Sequence, residues 1–259
     1  MICIVVFLNF LVFMRKYMFF FSSFCLSCSW DGAHWARVLN LTAGLSLFLY
    51  SNVMGATKRV VQIAISTVNI HSKTNFIVTR FGNVLGSNGS VIPLFEKQML
   101  KGGPLTITDP NITRYFMTIP EACQLVQEAA VMGKGGEIFV FDMGEPVKII
   151  DLAKQMIRLK GYNYPEDIDI KIVGLRPGEK IFEELLANGE NTEKTYHDKI
   201  MIAKVNTPDL ELQKARVDQL CTLAKTADPN EDKMRLVQMI KDIVPEYRSQ
   251  NSVFETLDS

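Results

Sequence analysis

An α/β fold built on a parallel sheet is what the 259-residue sequence predicts, and three observations carry it. From Asn52 onward, short apolar runs alternate with segments whose apolar residues recur at helical spacing. Glycine and proline punctuate these segments, as at Gly102-Gly103-Pro104 and Gly133. With 47% hydrophobic residues, the chain has ample apolar side chains for a core. Strands that alternate with helices form βαβ units, whose strands lie parallel.

The elements follow in order. Val53, Ala56, Val60, Ile63 and Ala64 share one face of a first helix. Residues 75–81, Asn-Phe-Ile-Val-Thr-Arg-Phe, read as a buried strand. A helix over 92–100 stops at Gly102-Gly103-Pro104, and strands are expected over 105–108 and 114–118. Pro120 suits a first helical turn, and its helix runs to Met132 before Gly133. A strand over 137–141, a helix over 148–160 and a strand over 168–173 come next. A short helix over 179–186, a strand over 197–204 and helices over 209–225 and 229–243 lead into a polar tail.

Residues 1–51 read differently. Two apolar pieces, 1–14 and 17–30, are divided by Arg15-Lys16, and neither reaches the ~20 residues of a membrane span. A secretory signal places its positive charges before the apolar run, whereas here they follow it. Membrane contact through residues 1–30, as an interfacial or membrane-inserted hairpin, stays open beside a poorly structured segment. The chain therefore divides into an apolar segment of unclear structure, 1–51, and a regular part, 52–259. Lys+Arg and Asp+Glu are both 28, and no basic stripe appears, so nucleic acid is not an expected partner. Five scattered cysteines argue against a disulfide framework and for a cytoplasmic setting. Cys25-x-x-Cys28 has no second Cys/His pair at ligand spacing, so no metal site is expected.

Several co-linear motifs lie in 52–259. Asn52-Val53-Met54-Gly55-Ala56-Thr57-Lys58-Arg59 opens the first helix. Arg80-Phe81-Gly82-Asn83-Val84-Leu85-Gly86-Ser87 and Gly89-Ser90-Val91-Ile92-Pro93 form a glycine-rich stretch. Ile107-Thr108-Asp109-Pro110 leads to Thr113-Arg114-Tyr115-Phe116-Met117, and Gly174-Leu175-Arg176-Pro177-Gly178-Glu179-Lys180 follows later. Together they resemble the CapD-like polysaccharide-biosynthesis proteins, nucleotide-sugar 4,6-dehydratases of the extended short-chain dehydrogenase/reductase superfamily.

The resemblance implies a Rossmann-like fold, of which residues 52–259 supply the active-site helix and the substrate-binding α/β region. It implies catalytic positions at Met54 and Lys58: relatives carry Tyr or Met at the first, and the lysine holds the nicotinamide ribose of NAD(P). Met54 cannot exchange a proton. Asn83, Ser90, Arg114, Arg176 and Glu179 are the implied contacts to a UDP-sugar. Asn83 carries donor and acceptor groups for a diphosphate, and planar guanidinium groups grip phosphate oxygens bidentately. The helix start near Val91 points free N–H groups at an anion, and Glu179, opening a helix, accepts from a ribose.

Other family features are absent from the sequence. The acid/base segment expected before Asn52 reads Leu45-Ser46-Leu47-Phe48-Leu49-Tyr50-Ser51, with no carboxylate, and no Gly-x-x-Gly-x-x-Gly turn occurs. The fold expected is thus a partial Rossmann-like one lacking its N-terminal dinucleotide-binding half. The function expected is that of a 4,6-dehydratase-like protein, inactive on its own and not binding NAD(P) by itself. The alternative is a nonenzymatic UDP-sugar-binding or membrane-tethered interaction module. The strand over 75–81 would then expose an edge on the cofactor side, which leaves homo-oligomerisation open.

Overall fold

The structure is a computed structural model, and it describes residues 52–71, 75–87, 89–183, 191–204, 209–228, 231–250 and 252–258. The segment 1–51, with its membrane-contact reading and Cys25-x-x-Cys28, lies outside the described residues.

The first helix, α1 (Val53–His71), is followed by β1 (Val78–Arg80) and β2 (Asn83–Val84). Then come α2 (Val91–Met99), β3 (Leu105–Ile107), β4 (Thr113–Arg114), β5 (Phe116–Met117) and α3 (Ile119–Met132). The middle of the chain forms β6 (Ile138–Phe141), β7 (Val147–Lys148), α4 (Ile149–Leu159) and β8 (Ile170–Ile172). β9 (Asn191–Lys194), β10 (Ile200–Lys204), α5 (Leu210–Thr226), α6 (Lys233–Ile243) and a 3-10 helix (Val253–Leu257) complete it.

The principal sheet has the order β1-β6-β10-β9. β1 and β6 are parallel, but β10 runs antiparallel to β6 and β9 antiparallel to β10, so the sheet is mixed rather than parallel. Alternation along β6 supplies two core faces. Phe139 and Phe141 pack with Leu125 and Ala129 of α3, while Ile138 and Val140 pack with Ile65 of α1 and Val78. Among the described residues β1 pairs with β6 alone, as an edge strand does, yet Val78, Thr79 and Arg80 are at most 2% exposed. An exposed face at this edge is therefore not what the structure shows. Arg80 is held inward by Gln62 of α1, whose Oε1 accepts from Nη2 at 2.9 Å.

A third cluster joins α2, β3, α4 and β8 through Phe95, Leu105, Ile157 and Ile168. A fourth packs α1 against α5 and α6 through Val60, Leu220, Ile240 and Tyr247.

Three further expectations change. The strand over 114–118 is two short strands in different sheets, β4 pairing with β7 and β5 with β2. The helix expected from Glu179 does not form: residues 179–183 are turn and irregular chain, and 184–186 lie outside the described residues. Their hydrogen-bonding groups serve distant partners instead, because Ile181 O accepts from Thr113 N at 2.9 Å. The polar tail is folded, with a Ser252/Glu255 capping box opening the 3-10 helix.

Candidate functional site

Met54 and Lys58 lie one turn apart at the start of α1. Asn52 caps that helix, its Oδ1 accepting from Gly55 N at 2.8 Å. The same side chain reaches across the fold, Nδ2 donating to Gly178 O at 3.1 Å. Met54 is half-buried, whereas Lys58 is only 6% exposed. Burial pushes the Lys58 ammonium down from 10.5 to about 8, and the charge of Glu183 opposes that fall.

Asn83 sits in β2, which pairs with β5 in the register Asn83↔Phe116. Gly82 permits the approach: a Cβ there would lie 3.0 Å from Tyr115 Cβ and 3.2 Å from Tyr115 O. The Asn83 Nδ2 donates to Tyr115 O at 3.2 Å and to Glu183 Oε2 at 3.3 Å. Glu183 Oε2 also accepts from Tyr115 N at 3.1 Å. This carboxylate, 6% exposed, is the hub that gathers Asn83, Tyr115, Lys58 and Arg114.

Arg114 is fixed from two sides. Its Nη1 donates to Thr113 O at 2.7 Å, and its Nη2 lies 3.7 Å from Glu179 Oε1. Burial lowers its basicity, and the charges of Glu183 and then Glu179 resist that. Glu179 Oε1 also accepts from Thr108 Oγ1 at 3.0 Å, while Oε2 accepts from Arg176 N at 3.0 Å. One carboxylate thus links the Arg176 loop to Arg114. The loop itself, residues 173–177, is exposed, and so is Arg176.

Ser90 is the N-cap of α2 but makes no side-chain cap bond. The hydroxyls of Ser87 and Ser90 are buried with no hydrogen-bond partner among the described residues. A buried hydroxyl left without a partner costs about 1–3 kcal/mol, which a ligand oxygen would relieve. Gly86 and Gly89 flank them with φ of 72° and 78°, backbone that an L residue rarely adopts.

The structure therefore brings Lys58, Asn83, Arg114, Glu179 and the Arg176 backbone into one hydrogen-bonded and charge-coupled set. Ser90 stands apart from that set, with no bond to any member. Glu183, Asn52 and Thr108 also belong to the set, beyond the site residues that the sequence motifs imply. Asn52 carried a signal, an amide immediately before a helical period. Glu183 carried none that separates it from its neighbour Glu184.

The mixed α/β core has a Rossmann-like plan, and Arg114, Glu179 and Glu183 gather near the lysine of its leading helix. Residues 49–205 match the family described as Polysaccharide biosynthesis protein, and this chain belongs to it. Over 157 residues it is 57% identical to Capsular polysaccharide biosynthesis protein CapD of Staphylococcus aureus, covering 60% of this chain and 26% of that protein. It is 38% identical over 158 residues to a UDP-glucose 4-epimerase of Rickettsia bellii, covering 60% of this chain and 45% of that one. The crystal structure of Pen from Bacillus thuringiensis aligns with a TM-score of 0.56 and 32% identity, covering 71% of this chain and 62% of Pen. The chain thus spans about a quarter of the CapD relative's length and under half of the epimerase's.

Among the described residues no helix is long and apolar enough to cross a membrane.

Proposed function

We propose that this chain binds a UDP-sugar for polysaccharide biosynthesis as a 4,6-dehydratase-like protein, supplying a substrate site without completing the reaction alone. One observation carries the reading: the Glu179 carboxylate ties Arg114 to the backbone of Arg176, so two guanidinium-bearing segments meet beside Asn83. Arg176, exposed on its loop, meets the diphosphate bidentately. Arg114 adds a second, less hydrated cation. The unpartnered hydroxyls of Ser87 and Ser90 at the α2 N-terminus suit anionic oxygens. The sugar portion then points toward Lys58. The names of the Staphylococcus and Rickettsia relatives support the pathway and the UDP-sugar class.

NAD(P) would supply the oxidation and reduction steps of a 4,6-dehydratase. The described residues offer Lys58 for its ribose and no glycine-rich cradle for its diphosphate. That is a poor fit. Lys58 holds its proton below about pH 8 and Met54 moves none, so these two positions bind and orient.

The test is a UDP titration followed by NMR, on the full chain and on Arg176→Ala. Loss of one charge-assisted contact of roughly 1.5–3 kcal/mol should weaken binding about 10- to 100-fold. Identical shifts and affinities in both proteins would remove Arg176 from the site and the reading with it.

A further inference from the structure

Both hydrogens of the Asn83 amide are already engaged by protein acceptors, Tyr115 O at 3.2 Å and Glu183 Oε2 at 3.3 Å. A turned-over amide would aim its oxygen at a carbonyl and a carboxylate, neither of which donates. The orientation is therefore fixed by chemistry, and Oδ1 is the group that Asn83 has left to offer. An oxygen cannot donate to phosphate. It can accept from a hydroxyl.

Building on the UDP-sugar reading above, we propose that Glu183 is a positioning residue that locks the Asn83 amide so that its oxygen accepts a hydrogen bond from a hydroxyl of the sugar, making the pair a reader of the sugar rather than of the diphosphate. Three observations converge on it. Glu183 is buried and holds both the Asn83 side chain and the Tyr115 backbone N–H with one oxygen, so it fixes the strand and the amide together. It lies within electrostatic reach of Lys58, one turn from Met54 on the leading helix, as well as of Arg114. The cations suited to phosphate are held by a second carboxylate, Glu179, which joins Arg114 to the Arg176 loop. Assigning Asn83 to a hydroxyl also revises the diphosphate role expected for it from the sequence.

The test uses the ¹⁵N-labelled full chain and two variants, each titrated with UDP and with UDP-N-acetylglucosamine. Glu183→Gln keeps an acceptor for Asn83, and Glu183→Leu removes it at similar volume. In the free wild-type protein the Asn83 side-chain NH2 should exchange slowly with water. Glu183→Leu should shift those signals and speed their exchange while backbone amides away from the site stay in place; Glu183→Gln should preserve them. The affinity gained by adding the sugar to UDP should fall at least about threefold in Glu183→Leu and stay within about twofold in Glu183→Gln. Unchanged Asn83 signals in the leucine variant would overturn the proposal, and so would equal weakening of UDP and the UDP-sugar. Should wild type bind neither nucleotide, the UDP-sugar reading and the sugar-reading role fall together, and the Asn83 signals alone then decide whether Glu183 positions the amide.

Discussion

Lys58 is the residue through which pH acts on this site. Its folded-state value of about 8 lies below the 10.5 of a free lysine, chiefly through burial. Below about pH 8 both folded and unfolded chains hold the proton, and the folded state bears the full cost of a buried charge, about 3 kcal/mol. Between about 8 and 10.5 the unfolded chain binds the proton that the folded chain has released, so this group's contribution to stability rises with pH. Urea unfolding of wild type against Lys58→Met at a series of pH values should show the wild type gaining ground across that window; parallel curves would contradict it. The Lys58 ¹³Cε signal should titrate near 8 in the wild type and lower in Glu183→Gln, because the carboxylate that supports the ammonium is gone. Gly82 is the other sensitive position. An added Cβ would press on both the Tyr115 side chain and its carbonyl, neither of which is a flexible tip. Gly82→Ala should cost roughly 1–3 kcal/mol in thermal or urea unfolding and weaken nucleotide binding by displacing Asn83.

Among the elements, α1 depends on its cap. Asn52→Ala removes the bond to Gly55 N and the bond to Gly178 O, and should lower stability by about 1 kcal/mol, measured by urea unfolding. Helices were the legible elements, because α2, α3 and α4 carry apolar periods bounded by glycine or proline and α1 follows a capping Asn52. Segment 179–183 shows the limit of such reading. Its Glu-Lys-Ile-Phe-Glu pattern suits a helix locally, but Glu179, Ile181 and Glu183 each satisfy groups of β3, β4 or the chain just after them, and those contacts outweigh a few tenths of a kcal/mol of propensity. β9, Asn-Thr-Glu-Lys, has no apolar residue to announce it; it forms because β10 offers an open edge. The same holds for the site: Arg114 and Arg176 were visible as cations at element ends, whereas the carboxylates that set their geometry depend on pairings about 70 residues apart and leave no local pattern.

For the molecule as a whole, stability is distributed over several clusters, and one of them is closed by a charge. Lys241 of α6 is 7% exposed, donates to Ser249 Oγ at 3.0 Å, stands 4.1 Å over the Tyr247 ring and pairs with Asp258. Asp258 also accepts from Ser249 N at 2.9 Å, so it binds the final segment to the α1/α5/α6 cluster. Asp258→Ala leaves the ammonium buried with weaker partners and should cost about 2 kcal/mol, read as a lower Tm. Lys241→Met with Asp258→Ala should recover part of that loss, since no isolated charge remains. A double variant as unstable as Asp258→Ala alone would show that packing of the 3-10 helix, not the charge, is what matters.

The Asn52 side chain has a consequence beyond helix capping. It is bonded at one end to the first turn of α1 and at the other to Gly178, two residues after Arg176. A loop that shifts to grasp an anion must carry the mouth of α1 with it or give up a bond worth about 1 kcal/mol. Linkage is reciprocal. Whatever occupies the neighbourhood of Met54 and Lys58 therefore alters how readily the loop closes, by the same factor as closure alters that occupancy. In Asn52→Ala this cross-talk should vanish while each end keeps its own chemistry: a gearing between two halves of one ligand, set by a single amide.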